Sequence, residues 1–213
     1  MSGDGTNIGK RLKVVNFTYT ILNEKENAMS EKGNYVLAII KTKETYDNLK
    51  ESLSDIKTEM AQLNEIEVDN VKYEIEYFIG GDWKFLACIC GLGAANQDYT
   101  CIWCKCPREE RYNVKKTWSL IDRHLGARTR EEIANHSKAK KYNCKSCPLF
   151  DFIPMDHVII DTLHLFLRIS DNLFELLIRE MKRQDTIDKV KMFPSGFNSE
   201  KYKHTAGYEH FLR

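Results

Sequence analysis

The feature that most constrains this chain is a hydrophobic period that changes twice. Val15, Phe17, Tyr19 and Ile21 alternate with Asn16, Thr18 and Thr20, the period-two pattern of a strand with one buried face. Lys13 to Leu22 is therefore predicted as a strand. The apolar run from Tyr35 to Ile40 predicts a second strand beside it, covered on both faces. Leu49, Leu53, Ile56, Met60 and Leu63 then recur every three or four residues, which sets them on one stripe of a helix from about Thr45 to Asn64 packed against the sheet. Val71, Tyr73, Ile75, Tyr77 and Ile79 return to alternation and stop at Gly80-Gly81. Strand, strand, helix, strand is the signature of a mixed α/β unit.

Downstream the pattern is more interrupted. Asp82 is a favoured N-cap residue and opens a predicted helix through Cys90. All four prolines lie beyond residue 106, which suggests a boundary near residue 107. Thr129-x-x-Glu132 is a capping box that starts another helix. From Asp156 to about Arg183 the sequence is rich in Leu, Ile and Phe with charges spaced between, predicting one long helix or two joined near Ser170-Asp171. The last residues, with Pro194 and Gly196, show no strong period.

Composition narrows the class. No run approaches the roughly 18 to 20 apolar residues of a membrane helix, and Met1-Ser2-Gly3-Asp4 lacks the basic and apolar regions of a signal peptide. An intracellular, non-membrane protein is expected. Of seven cysteines, four form two Cys-x-x-Cys pairs, Cys101/Cys104 and Cys144/Cys147, a pattern that favours metal over disulfides. The net charge of +1 gives no global attraction to nucleic acid. Lys115, Lys116, Lys138, Lys140, Lys141 and Lys145 nevertheless concentrate positive charge, and two readings are open: a phosphate-contacting patch or a solvated surface.

Two aspartates stand at strand ends. Asp4 lies in the small-residue segment Ser2-Gly3-Asp4-Gly5-Thr6 ahead of a strand, and Asp82 follows Gly80-Gly81 directly. Paired carboxylates with glycines leaving room beside them suit a hard cation such as Mg²⁺, which prefers oxygen ligands. The plainer reading is that Asp4 closes a turn and Asp82 caps a helix. Four thiolates from Cys101, Cys104, Cys144 and Cys147 suit tetrahedral Zn²⁺ if the segment between the pairs loops out, and buried reduced thiols are the alternative. Neither pair has the setting of a thioredoxin-like redox motif. Cys88 and Cys90 read as core thiols, Cys106 is unassigned, and His164, Trp83, Trp103 and Trp118 read as packing residues.

Taken in order, these motifs resemble the catalytic core of the recombination-activating protein 1 of V(D)J recombination and the related Transib-type DDE transposases. The resemblance rests on Asp4-Gly5-Thr6 before Val15-Asn16-Phe17-Thr18-Tyr19-Thr20, on Gly81-Asp82-Trp83-Lys84, on Cys101-x-x-Cys104, and on Ile160-Asp161-Thr162-Leu163-His164. It implies an RNase H-like mixed sheet with packed helices over residues 1 to 100, its first strand truncated, followed over residues 101 to 213 by a mainly helical zinc-binding insertion. Asp4 and Asp82 would hold two Mg²⁺ or Mn²⁺ ions for DNA nicking and strand transfer.

In the family, the pair matched by Cys101 and Cys104 is completed by two downstream histidines, for which His204 and His210 are candidates by residue type alone. The family's third acid, a helical glutamate, has no match; Glu175 and Glu180 read as a solvent face. The chain is accordingly expected to be a fragment cut short at both ends. DNA, a second copy in the intact protein, and a nuclear location complete the implied setting. The competing expectation is a catalytically dead, transposon-derived protein that keeps zinc and DNA binding.

Overall fold

The computed structural model describes residues 1–8 and 12–183. The chain divides into two compact units, Met1–Asp161 and Thr162–Arg213. The first is a mixed α/β unit built on five strands: β1 (Ser2–Ile8), β2 (Leu12–Tyr19), β3 (Tyr35–Ile40), β6 (Ile79–Gly81) and β7 (Val158–Ile160), in the order β3-β2-β1-β6-β7. β1 is central. It runs antiparallel to β2 and parallel to β6, which is parallel in turn to β7. A separate hairpin, β4 (Glu65–Val68) with β5 (Val71–Glu74), turns through Asp69 and Asn70, both at positive φ, as a two-residue hairpin loop requires.

Helices α1 (Tyr46–Ser52), α2 (Ser54–Gln62), α3 (Trp83–Ile89) and α4 (Arg130–Ala139) complete the unit. The predicted stripe is core where it matters, with Leu49, Leu53 and Met60 buried, but the chain breaks at Leu53 and makes two helices of it. Phe17 is fully buried and lies between Phe85 of α3 at 6.4 Å and Phe150 at 5.8 Å, the latter stacked. Ile102, Ile133, Leu149, Phe150, Ile153 and Val158 belong to the same apolar core as Val15 and Phe17. The Cys-rich region therefore shares one apolar core with the sheet.

Four expectations are corrected. Asp4 sits inside β1 and not in a turn before it, because β1 is a full strand of seven residues. β3 is an edge strand with Val36 59% and Ile39 70% exposed, not a strand covered on both faces. The long helix does not begin at Asp156: a single 3₁₀ turn, Met155–His157, is followed by Val158–Ile160, which joins the sheet as β7. The region from Val71 to Ile79 is two short strands and not one.

In the second unit the described residues are a single helix, α5 (Thr162–Arg183), uninterrupted at Ser170-Asp171. Leu163, Phe166, Leu173, Phe174 and Leu177 gather on one broad arc of it by helical spacing, with His164, Arg168, Asp171 and Glu175 on the other. Glu175 pairs with Arg179 one turn on. Among the described residues no helix is long and apolar enough to cross a membrane.

Because the aromatic stack at Phe17 joins both halves of the first unit, Phe150→Ala is expected to destabilise all of it by about 3–5 kcal/mol. Urea transitions followed by tryptophan fluorescence and by far-ultraviolet circular dichroism should remain coincident. A two-step transition would instead mean that residues 1–100 fold independently.

Candidate metal centre

The site begins with two glycines. In the parallel β1–β6 pair, Ser2 aligns with Gly80 and Gly3 with Gly81. A Cβ on Gly3 would come within 2.0 Å of Phe85 Cζ, and one on Gly81 within 2.7 Å of Phe85 Cδ1. The Phe85 ring thus lies over both positions, which admit no side chain. Asp4 follows Gly3 within β1, and Asp82 follows Gly81 just past the end of β6, each one residue beyond the last paired position.

Asp82 caps α3: its Oδ1 accepts a hydrogen bond from the Phe85 amide at 2.7 Å. The modest role expected of this residue is real, and it fixes the carboxylate at the carboxyl end of β6. Asp4 is exposed. By strand alternation its side chain leaves β1 on the face opposite Gly3 and Gly5.

A third carboxylate, Glu44, lies on the Gly5 face of β1, opposite to the side from which Asp4 leaves the strand. Glu44 lies in the loop between β3 and α1, and its side chain is only 7% exposed. Its Oε2 accepts from Lys84 Nζ at 2.8 Å and packs so closely on β1 that a Cβ on Gly5 would stand 2.1 Å from it. Burial pushes the Glu44 carboxyl above its ordinary value; Lys84 opposes that shift, while the charges of Asp82 and Asp4 add to it. Glu44 therefore senses both aspartates. Its other oxygen, Oε1, is buried without a hydrogen-bond partner, a costly state for a carboxylate.

Sequence reasoning missed Glu44. The only signal was an acid placed between a strand end and a helix start, in Lys43-Glu44-Thr45. Carboxylate oxygens are the donors that a hard cation such as Mg²⁺ or Mn²⁺ prefers. Among the described residues, however, no three His, Cys, Asp or Glu side chains form a group ready to hold a metal ion. Glu44 is committed to Lys84 and Asp82 to the α3 cap.

The four candidate zinc ligands are not brought to one point. Cys101 Sγ accepts from the Cys104 amide at 3.4 Å, and hydrogen bonding from the Cys104 thiol is the main cause that draws the Cys101 thiol below its ordinary pKa. Cys144 faces the guanidinium of Arg128, whose Nη1 donates to its Sγ at 3.3 Å. Cys147 is exposed, and its carbonyl accepts from the Tyr46 hydroxyl at 2.7 Å.

Arg128 is the organiser of this region. It is 3% exposed and donates to the carbonyls of Tyr99, Cys101, Cys104 and Tyr142. Cys101 and Cys104 fit half of a zinc site; Cys144, with Arg128 on its sulfur, and the exposed Cys147 do not fit the other half. His204 and His210 lie outside the described residues. Cys90 is core as expected, its thiol pushed up to about 12 by burial, and half-buried Cys88 is pushed up to about 11 by the same cause.

No protein-family model matches the chain, and no curated protein matches it in sequence.

Two outcomes follow from the charges. Because the folded Glu44 carboxyl is raised above 4.5, its ionised form costs stability. That cost is absent at low pH, where folded and unfolded carboxyls are both protonated, and it grows as pH rises through the raised value. Glu44→Gln should therefore raise the melting temperature at about pH 7 and lose that advantage by about pH 4, as calorimetry over a pH series would measure. Arg128→Met leaves four carbonyls short of a donor and should cost more than about 3 kcal/mol by chemical denaturation.

Proposed function

We propose that this chain contains the metal-binding carboxylates of a DDE transposase-type DNA nuclease on an RNase H-like sheet, with Asp4, Asp82 and Glu44 as the ligands. The observation that supports it most is the parallel pairing of Gly3 with Gly81, one residue ahead of Asp4 and of Asp82, with the charges of both aspartates among the causes that raise the Glu44 carboxyl. A mixed sheet with an antiparallel partner on one side of the central strand and a parallel one on the other agrees with the resemblance read from the motifs.

Divalent cations, when bound, supply Lewis-acid activation of the attacking water or 3′-hydroxyl and stabilisation of the leaving oxygen. The protein's part is placement. The α3 cap fixes Asp82, burial against Gly5 fixes Glu44, and the central strand fixes Asp4 at an exposed position open to a large substrate. In nicking, the water oxygen bonds to phosphorus as the bond to the 3′ oxygen breaks, and the proton given up by the water is balanced by one taken up by the leaving oxygen, which becomes a 3′-hydroxyl beside a 5′-phosphate.

DNA is the proposed substrate. Lys115, Lys138, Lys140, Lys141 and Lys145 are all exposed and are suited to phosphate contacts, whereas Lys116 is paired with Glu110 and lies over Trp118. Zinc on Cys101 and Cys104, a homodimer in the intact protein and a nuclear location belong to the same proposal. A second reading, DNA binding without cleavage, is favoured by one observation: the ion pair that holds Glu44 on Lys84.

Incubation with supercoiled plasmid and Mg²⁺ or Mn²⁺ separates the two. Nicking by the chain is expected, and Asp82→Asn should lower its rate by about a hundredfold or more. Asparagine is itself a good cap, so α3 stays intact and the loss reports on charge. Binding without nicking, or nicking that Asp82→Asn leaves unchanged, would refute the nuclease reading.

A further inference from the structure

We propose that β3 is a self-pairing edge, joining antiparallel to β3 of a second copy of this chain across a two-fold axis between Leu37 and Ala38. The inference rests on the homodimer reading above, which it deepens by naming the surface, and it is independent of the carboxylates. It is carried by the order of faces along Tyr35–Ile40, which a β-bulge makes symmetric about the centre of the strand.

β3 has β2 on one side and no strand on the other. Among the described residues only its Ile40 carbonyl finds a backbone bond outside the ladder, from the Thr42 amide. Proteins usually guard such an edge with charge, proline or brevity. The opposite edge of the sheet is guarded by brevity, since β7 has three residues. β3 has six, and neither a charge nor a proline lies between Lys32 and Lys41. Val36 and Ile39, its most exposed side chains, are both apolar.

The bulge decides how two such strands can meet. Ala38 and Ile40 pair with the buried Phe17 and Val15 and pack against the core, so they point inward. Tyr35 pairs with Tyr19 and stacks on it, on the Phe17 face of β2. Val36 and Ile39 pair with Thr18 and Asn16, on the outer face. Leu37 has no partner in β2, and the register shifts there. The strand therefore reads inward at Tyr35, outward at Val36, outward again at Ile39 and inward at Ile40.

Opposed residues of an antiparallel pair share a face. An axis on Leu37 would set outward Val36 against inward Ala38, and an axis on Ala38 would set outward Val36 against inward Ile40. An axis between Leu37 and Ala38 sets Val36 against Ile39 of the second copy and Tyr35 against Ile40, matching faces over the whole strand. A bulged edge thus has one full-length register with its own copy, where a regular strand could slip. Charge permits the same register, because Lys41 falls opposite neutral Asn34. The rival account makes the bulge a guard that twists the edge away from any partner.

Six paired residues from each copy fall short of the roughly 1,200–2,000 Å² of a stable interface, so a dissociation constant of about 10–100 μM is expected. Sedimentation equilibrium of the full chain from about 1 to 300 μM is the test, and the unaltered chain should pass from monomer to dimer across that range. Val36→Glu and Ile39→Lys each set a charge against an apolar side chain of the second copy and should each weaken the dimer at least about tenfold. Both positions are exposed, and circular-dichroism melts matching the unaltered chain show that the variants fold. Mixed in equal amounts, the two variants should dimerise again, because the axis sets the new carboxylate of one chain opposite the new ammonium of the other. An unaltered chain that stays monomeric throughout overturns the proposal together with the homodimer reading of this chain. A dimer that both substitutions leave intact, or a mixture that stays monomeric, overturns the β3 surface alone.

Discussion

One ring holds the candidate site together. Phe85 lies over Gly3 and Gly81 at a closeness no side chain on either strand would permit, and its own amide is the group that Asp82 caps. Packing and hydrogen bonding at a single residue thus set the distance between β1 and β6, the start of α3, and the position of the second aspartate. The ring is fully buried and faces Phe17, through which it reaches Phe150. Asp82, through its cap, and Glu44, through its contact with β1, are thereby tied to the packed part of the molecule.

Arg128 plays the corresponding part in the Cys-rich region. A buried guanidinium is tolerated only where its donors are satisfied, and here four backbone carbonyls and a sulfur surround it. Those carbonyls come from residues 99 to 104 and from Tyr142, the two segments that contain the cysteine pairs. The cation therefore does what a shared zinc ion was expected to do, gathering distant loops around one positive centre. Trp103 extends the network to the sheet, its indole donating to the Val158 carbonyl of β7 at 2.8 Å. Conversely, the two pairs do not converge because the space between Cys144 and the Cys101 turn is filled by an arginine.

Much of this arrangement was legible in the sequence. Alternation found β2, the stripe through Leu49, Leu53 and Met60 found the helical layer, and the short polar residues at Asp82 and Thr129 marked the starts of α3 and α4. The failures have physical causes. β7 is three residues long, and Val158-Ile159-Ile160 adjoins a helix rich in the same residue types, so its apolar run had no period of its own. β3 reads as a buried strand, yet its place at the sheet edge is a matter of topology that composition does not encode. Glu44 was invisible for a related reason: its partners are Lys84, Asp4 and Asp82, and only folding makes them neighbours.

Glu44 also shows why such a site is a compromise. A carboxylate so fully buried is unfavourable when ionised, and stability alone would favour an amide or an apolar residue there. Its ammonium partner relieves part of the penalty but reaches one oxygen only, and the two aspartates nearby increase the charge that must be balanced. Strain of this electrostatic kind concentrates where proteins bind ligands, because a group that is poorly satisfied without its ligand gains most when the ligand arrives. The residual imbalance around Glu44 is negative, and one of its oxygens stays buried without a hydrogen bond.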